Sequence, residues 1–263
     1  MRFAFSTLGV PGMPVREVAA LAADCGYEGV ELRAAPDEPV HRGTGQPERA
    51  QAVKEFERAG VRVLAVCGYT GLGTEGDDAP VLQEIGELLW LARDLGAPFV
   101  RVFPGGEGQQ PSAVEETAAR RLGLAAETAA GLGVRLLVET HDSHRTGAQV
   151  SRMLGPVGHR HAGAIWDVVH PWLEGEEPPA AYAALAPFLG YAQVKDVASR
   201  QDLAPLPLGA GVLPLAECLA LLPSSSWVSW EYEKRWHPEA ADLPGLLVPG
   251  RKHLEGLLAP SGS

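Results

Sequence analysis

Cysteine is scarce in this chain: three residues, Cys25, Cys67 and Cys218, stand far apart with no Cys-x-x-Cys pair. That excludes a disulfide framework and a zinc knuckle, and it fits buried thiols in a reducing compartment. Histidine is sparse as well, with 8 in 263 residues, and Lys plus Arg (22) are outnumbered by Asp plus Glu (33), for a formal net charge of -11. A phosphate backbone is bound mainly by Lys and Arg displacing counterions, so this balance argues against a nucleic-acid partner. No apolar run is long enough to span a membrane, and the start, MRFAFSTLGVPGMPV, is too interrupted by Gly and Pro to be a signal peptide. The expected location is cytoplasmic.

Hydrophobic residues make up 46% and charged residues 21% of the chain, the composition of an ordinary globular protein with enough length to bury most of its apolar surface. The pattern along it alternates. Short apolar runs are predicted as strands at Arg2 to Ser6, Gly29 to Arg33, Val61 to Cys67, Phe99 to Phe103, Val134 to Glu139, Ala162 to Asp167, Tyr191 to Val194 and Trp227 to Glu231. Helical spacing falls between them, at Val15 to Cys25, Pro47 to Ala59, Pro80 to Leu95, Ser112 to Leu132, Gly147 to Leu154, Ala180 to Ala186, Leu215 to Leu222 and Leu243 to Leu258. Ser112 with Glu115 three residues on reads as a capping box, and the closing PSGS is expected to fray.

Eight strand-helix units with near-continuous apolar strands predict an α/β fold, a (β/α)8 TIM barrel forming one domain over residues 1–263. The competing architecture, an open doubly wound sheet, often carries a Gly-rich dinucleotide fingerprint after its first strand, and none is present; FPGGEGQQ, Phe103 to Gln110, follows the fourth strand and reads as a mobile loop.

In such a barrel, chemistry sits at the carboxyl ends of the strands. Glu31 and Arg33 end strand two, Arg101 lies near the end of strand four, and Glu139, Asp167, Gln193 with Lys195, and Glu231 end strands five to eight. Strand periodicity puts Leu137 with Glu139, Ile165 with Asp167, Tyr191 with Gln193 and Ser229 with Glu231 on shared faces, so the polar ends are expected to point inward together. Three converging carboxylates repel one another unless a cation sits among them. With the neutral oxygen of Gln193 they form an oxygen-rich set suited to one divalent metal, Mg2+, Mn2+ or Co2+, with Zn2+ also admissible as a catalytic rather than a structural ion. His170 is a candidate for polarising substrate, with Lys195, Arg101 and His141 as further substrate-binding candidates. Lys195 has an alternative as an ion-pair partner of Asp196, Arg33 and Arg101 as buttresses of the carboxylates, and His144 as a peripheral residue. Trp166 is expected to face outward into ordinary packing.

Taken in order, GYEGVELR at Gly26 to Arg33, VETH at Val138 to His141, WDVVH at Trp166 to His170, QVKD at Gln193 to Asp196 and WEYE at Trp230 to Glu233 resemble the xylose isomerase-like TIM barrel superfamily of sugar phosphate isomerases and epimerases, also labelled AP endonuclease family 2. The resemblance implies one divalent metal held by Glu139, Asp167, the strand-seven residue and Glu231, with His170 near the substrate. Most members show His-x-Lys-Asp at strand seven; here Gln193 stands in the His position, as it does in the hydroxypyruvate-isomerase-like branch.

The implied activity is isomerisation or epimerisation of a small ketose or related hydroxy-carbonyl compound through an enediolate, with Glu139 and Glu231 as the proton-transfer pair. An inosose-type dehydratase on the same metal site, and a sugar-binding barrel that has lost catalysis, stay open. An abasic-site endonuclease resembles a three-zinc, His-rich, cationic design that this composition does not match. A small-molecule substrate is the expected partner, with no membrane, and an exposed helix face leaves a homodimer open.

Overall fold

The computed structural model describes residues 1–259; the PSGS end lies outside the described residues. Eight parallel strands close into a barrel in the order β1 to β8. The strands are β1 (Arg2–Ser6), β2 (Gly29–Arg33), β3 (Arg62–Gly71), β4 (Phe99–Phe103), β5 (Arg135–Glu139), β6 (Ala162–Asp167), β7 (Leu189–Val194) and β8 (Trp227–Trp230). Between and after them run α1 (Val15–Cys25), α2 (Gln46–Ala59), α3 (Asp78–Leu95), α4 (Pro111–Leu132), α5 (Gly147–Leu154), α6 (Val169–Leu173), α7 (Pro178–Leu185), α8 (Leu215–Leu221) and α9 (Pro244–Leu258). The alternation read from the sequence therefore closes as expected, with β1 paired to β8 through Arg2 to Phe5 against Trp227 to Trp230.

Two apolar layers hold the barrel. Outward strand residues such as Val30, Val100, Val138, Trp166 and Val194 pack against the helices, while Ala4, Leu64, Ala65, Leu137, Ile165, Tyr191 and Trp227 fill the interior. Trp166 is in the outer layer, 6.1 Å from the Tyr182 ring, as its position on the alternate face of β6 requires. All three cysteines are buried and free.

The approach to β5 illustrates how the chain sets up its site. Gly133 caps α4 with φ 71°, a left-handed conformation that suits glycine, and its N–H bonds back to the Ala129 and Ala130 carbonyls. Two residues later β5 begins, and its five residues deliver Glu139 to the barrel mouth.

Some local expectations fail. Ser112 does not cap α4: the helix starts at Pro111, whose fixed φ and missing N–H suit the first helical position, so Ser112 lies inside the first turn. Glu115 turns instead to Arg152, at 3.0 Å. The capping box belongs to Thr146 and Gln149 at the start of α5. β3 runs on to Gly71, past the expected end at Cys67, with a register shift against β4 in between. The segment after β6, for which no helix is predicted, forms the short helix α6, which carries His170. Among the described residues, no helix is long and apolar enough to cross a membrane.

Candidate active site

Glu139, Asp167, Gln193 and Glu231 converge. Each stands two residues beyond an interior position, Leu137, Ile165, Tyr191 or Ser229, so the strand period of two turns it into the barrel mouth. Asp167 and Gln193 are direct register partners, as are Gln193 and Ser229. The Glu231 N–H bonds to the Val194 carbonyl at 3.0 Å, which extends the β7–β8 ladder past the end of β8. All four side chains are buried.

Two cations are built into this group. Arg101 donates to Glu139 Oε2 at 3.0 Å, reaches Glu231 Oε1 at 3.4 Å and also holds the Gly68 carbonyl. Lys195 Nζ lies 2.6 Å from Glu231 Oε2, 2.7 Å from Glu233 Oε1 and 2.9 Å from Asp167 Oδ2. The ammonium has three protons and three carboxylate neighbours, so no donor is left free. Asp196, weighed as its partner, instead accepts the backbone N–H groups of Gly209, Gly211 and Leu213 and ties down the loop before α8.

These neighbours pull the carboxyls apart. Burial drives Glu139 up to about 8 despite Arg101, and drives Asp167 up to about 6 despite Lys195. Burial pushes Glu231 the same way, but Lys195 and Arg101 together outweigh it and hold this carboxyl below its ordinary range. Burial would also discharge Lys195, yet Asp167, Glu231 and Glu233 keep it well above its usual value. It is a fixed positive charge and not a nucleophilic amine.

A wall of rings stands above the carboxylates. His141 stacks on Phe103 at 4.3 Å and meets His170 edge-on at 4.4 Å. Its Nδ1 is 2.6 Å from Asp142 Oδ1, and Asp142 takes a left-handed backbone, φ 43°, while accepting the Gly105 N–H. Burial opposes charge on His141, but Asp142 and Glu139 win and raise its pKa; burial, with His141 and Lys195 adding to it, drops His170 well below its ordinary value. His170 is thus neutral, with Nε2 3.4 Å from Asp167 Oδ2 and a buried Nδ1 that has no partner. At the rim, Arg33 is locked between Glu38, Asp37 and the Tyr69 hydroxyl. His144 lies aside, buried against Ser143 and 3.5 Å from Glu115.

The donor chemistry fits a hard divalent cation. Glu139, Asp167 and Glu231 each offer one oxygen, all within 4.8 Å of one another. Gln193 Oε1 is a buried acceptor without a hydrogen-bond donor, although such atoms are normally satisfied. Glu139, His141 and His170 form an overlapping second group with softer nitrogen donors. A cavity of about 420 Å³ elsewhere, lined by Val53, Phe56, Leu64, Leu95 and Trp227, contains none of these residues.

Three participants carried no assigned role in the sequence. Glu31 is fully buried and accepts from the Tyr191 hydroxyl and from Gln193 Nε2. Tyr191 was read only as a face marker, and Glu233 only as a motif letter. Period-two alternation within GVELR was the available signal for Glu31; its partners lie on β7 and become neighbours only across the closed barrel.

Fold and site together define a (β/α)8 barrel with an acid-rich, metal-compatible centre at the carboxyl ends of its strands. The chain belongs to the xylose isomerase-like TIM barrel family, whose profile matches residues 19–252. It is 29% identical, over 91% of this chain and 92% of the relative, to a Streptomyces coelicolor protein provisionally named hydroxypyruvate isomerase. D-psicose 3-epimerase from Clostridium cellulolyticum H10 superposes with a TM-score of 0.84 at 14% identity, over 99% of this chain and all (100%) of that one. A Bacillus anthracis protein assigned as a 3-DHS dehydratase gives 0.81 at 17%, over 98% and 99%. At these identities the two structures establish the shared fold.

Proposed function

We propose that this protein, one barrel domain over residues 1–263, is a divalent-metal-dependent isomerase or epimerase of a small ketose or related hydroxy-carbonyl compound. The observation that carries this reading is the convergence of Glu139, Asp167 and Glu231, one carboxylate oxygen of each within 4.8 Å of the others, beside the Gln193 Oε1 that has no hydrogen-bond donor. Two carboxyls delivered to one site from different strand ends, Glu139 from β5 and Glu231 from β8, suit a proton donor and a proton acceptor. Glu231, ionised beside Lys195 and Arg101, takes the proton from the carbon next to the substrate carbonyl. Glu139 returns one from its own strand end. Delivery to the same carbon from the other face epimerises, and delivery to the neighbouring carbon isomerises.

Glu139, Asp167, Glu231 and the Gln193 oxygen would hold the metal, which supplies Lewis-acid stabilisation of developing negative charge on the substrate oxygens. Arg101 and Lys195 bring fixed positive charge to the same region and so favour an anionic enediolate. His170, whose buried Nδ1 has no partner, and His141, braced by Asp142, stand together beside the carboxylates and are the candidates to meet a substrate hydroxyl. The test is a panel of ketoses and inososes in deuterated water, followed by NMR, with elemental analysis of the purified protein. Label entering next to the carbonyl, lost in Glu139→Gln, is the expected result; loss of water from an inosose would instead assign a dehydratase. No divalent metal and no exchange into any ketose would end the enzyme reading.

A further inference from the structure

Beneath the carboxylate cluster, the Gln193 side chain is held at one end only. Its Nε2 lies 3.1 and 3.3 Å from the two carboxylate oxygens of Glu31 and 3.3 Å from Glu231 Oε1, while its Oε1 has no donor. Glu31, Tyr191 and Gln193 are all fully buried, and the Tyr191 hydroxyl donates to Glu31 Oε1. A carboxamide has one donor end and one acceptor end of nearly equal size, so its neighbours alone decide which way it faces. Reversed, the Gln193 oxygen would face the oxygens of Glu31 and Glu231 in place of the amide protons they now accept. Like acceptors at such distances repel in a buried site.

We propose that Glu31 and Tyr191 are positioning residues which fix the Gln193 amide with its carbonyl oxygen turned away from Glu31, so that a neutral amide serves as the fourth oxygen donor to a hard divalent cation. The inference rests on the metal-site reading above and adds residues from β2 and from the barrel interior to it. Tyr191 keeps Glu31 aimed at the amide, and Glu31 keeps the amide nitrogen out of the site. Glu31→Gln removes this preference, because a second carboxamide can face Gln193 with either end. The site then contains the nitrogen end in part of the molecules, and nitrogen of an amide does not bind the ion.

Metal-stripped full-length protein titrated with Mn2+, with free ion followed by electron paramagnetic resonance, tests this without reference to turnover. Loss of an outer hydrogen-bond partner of a ligand typically weakens metal affinity roughly 10- to 100-fold, and Glu31→Gln is expected to fall in that range, with Tyr191→Phe weakened less. The decisive comparison repeats Glu31→Gln in a Gln193→Glu background. A carboxylate has two equivalent oxygens and nothing to orient, so there the substitution at 31 should not weaken Mn2+ binding. Equal weakening in both backgrounds would make Glu31 a merely structural residue and overturn the proposal, as would an unchanged affinity in folded Glu31→Gln. If that variant does not fold, Tyr191→Phe carries the same comparison in the two backgrounds. Wild-type protein that binds no Mn2+ overturns both this inference and the metal-site reading, whereas wild-type binding with no effect at 31 and 191 overturns the inference alone.

Discussion

The two halves of the barrel contribute differently to its mouth. β5 to β8 supply the acids and the amide that face the centre, Glu139, Asp167, Gln193 and Glu231, each at or just past a strand end. β1 to β4 supply no member of the three-carboxylate set; they contribute Arg101, which bridges Glu139 and Glu231, and Glu31, which holds Gln193 from across the interior. In the proposed reaction the β5–β8 half carries the reacting groups together with Lys195, while Arg101 and Glu31 of the other half add to their charge balance and orientation. A substitution in the second half should therefore remove chemistry, and one in the first half should shift stability, protonation or metal affinity.

The largest effect belongs to the reacting half. Glu139→Gln preserves shape but removes the ionisable carboxyl, and the rate of deuterium exchange into substrate should fall by about 10²- to 10⁴-fold, with an unchanged melting curve to within a few degrees. A drop of less than tenfold would move the acid role away from Glu139. Next is Arg101→Met, in the supporting half. It removes the buried cation that reaches the ionised Glu231 and donates to Glu139, and breaking such a buried pair costs roughly 3–5 kcal/mol. Urea unfolding of metal-free protein should register that loss, and Mn2+ should restore part of it.

A smaller and graded effect is the pH dependence of the metal-free fold. Glu31, Asp167 and Glu139 are raised to about 7, 6 and 8, above the range near 4 of the unfolded chain. Between those limits the folded protein binds more protons than the unfolded one, so their contribution is fully present below about pH 4 and is lost as pH rises through the folded values. Melting temperature of stripped protein should fall from about pH 5 to about pH 8, and Mn2+ should raise it more at the upper end, because bound metal keeps its ligands deprotonated. A flat profile would mean that the supporting cations already neutralise the cluster. The smallest contrast lies in the flanking helices: Thr146→Ala at the start of α5 should cost about 1 kcal/mol, while Ser112→Ala in α4 should stay within about 0.5 kcal/mol, both read from denaturant midpoints.

Sequence alone carried the reading a long way because two periodicities and one directional rule act locally. Apolar runs punctuated by glycine and helical spacing gave the strands and helices, and their number gave the closed barrel. Alternation along β5 to β8 then put Glu139, Asp167, Gln193 and Glu231 on inward faces. These signals lie within single strands, so no tertiary information was needed to see them. The failures were of another kind. Proline at the first helical position displaced the Ser112 cap, and a five-residue helix after β6 was too short to leave a periodic trace.

What only the tertiary structure decided is which groups touch across the barrel. Lys195 sits next to Asp196 in the chain but pairs with Asp167, Glu231 and Glu233, while Asp196 holds backbone amides of its own loop. Glu31 meets Gln193 over a separation of 162 positions. Protonation follows from the same closure: Glu139 and Glu231 are the same residue type at equivalent strand ends, but burial raises Glu139 despite Arg101, whereas Lys195 and Arg101 together hold Glu231 below its ordinary range. Position along a strand is a property of the sequence; the charge that a buried carboxyl carries depends on neighbours that barrel closure alone brings within reach.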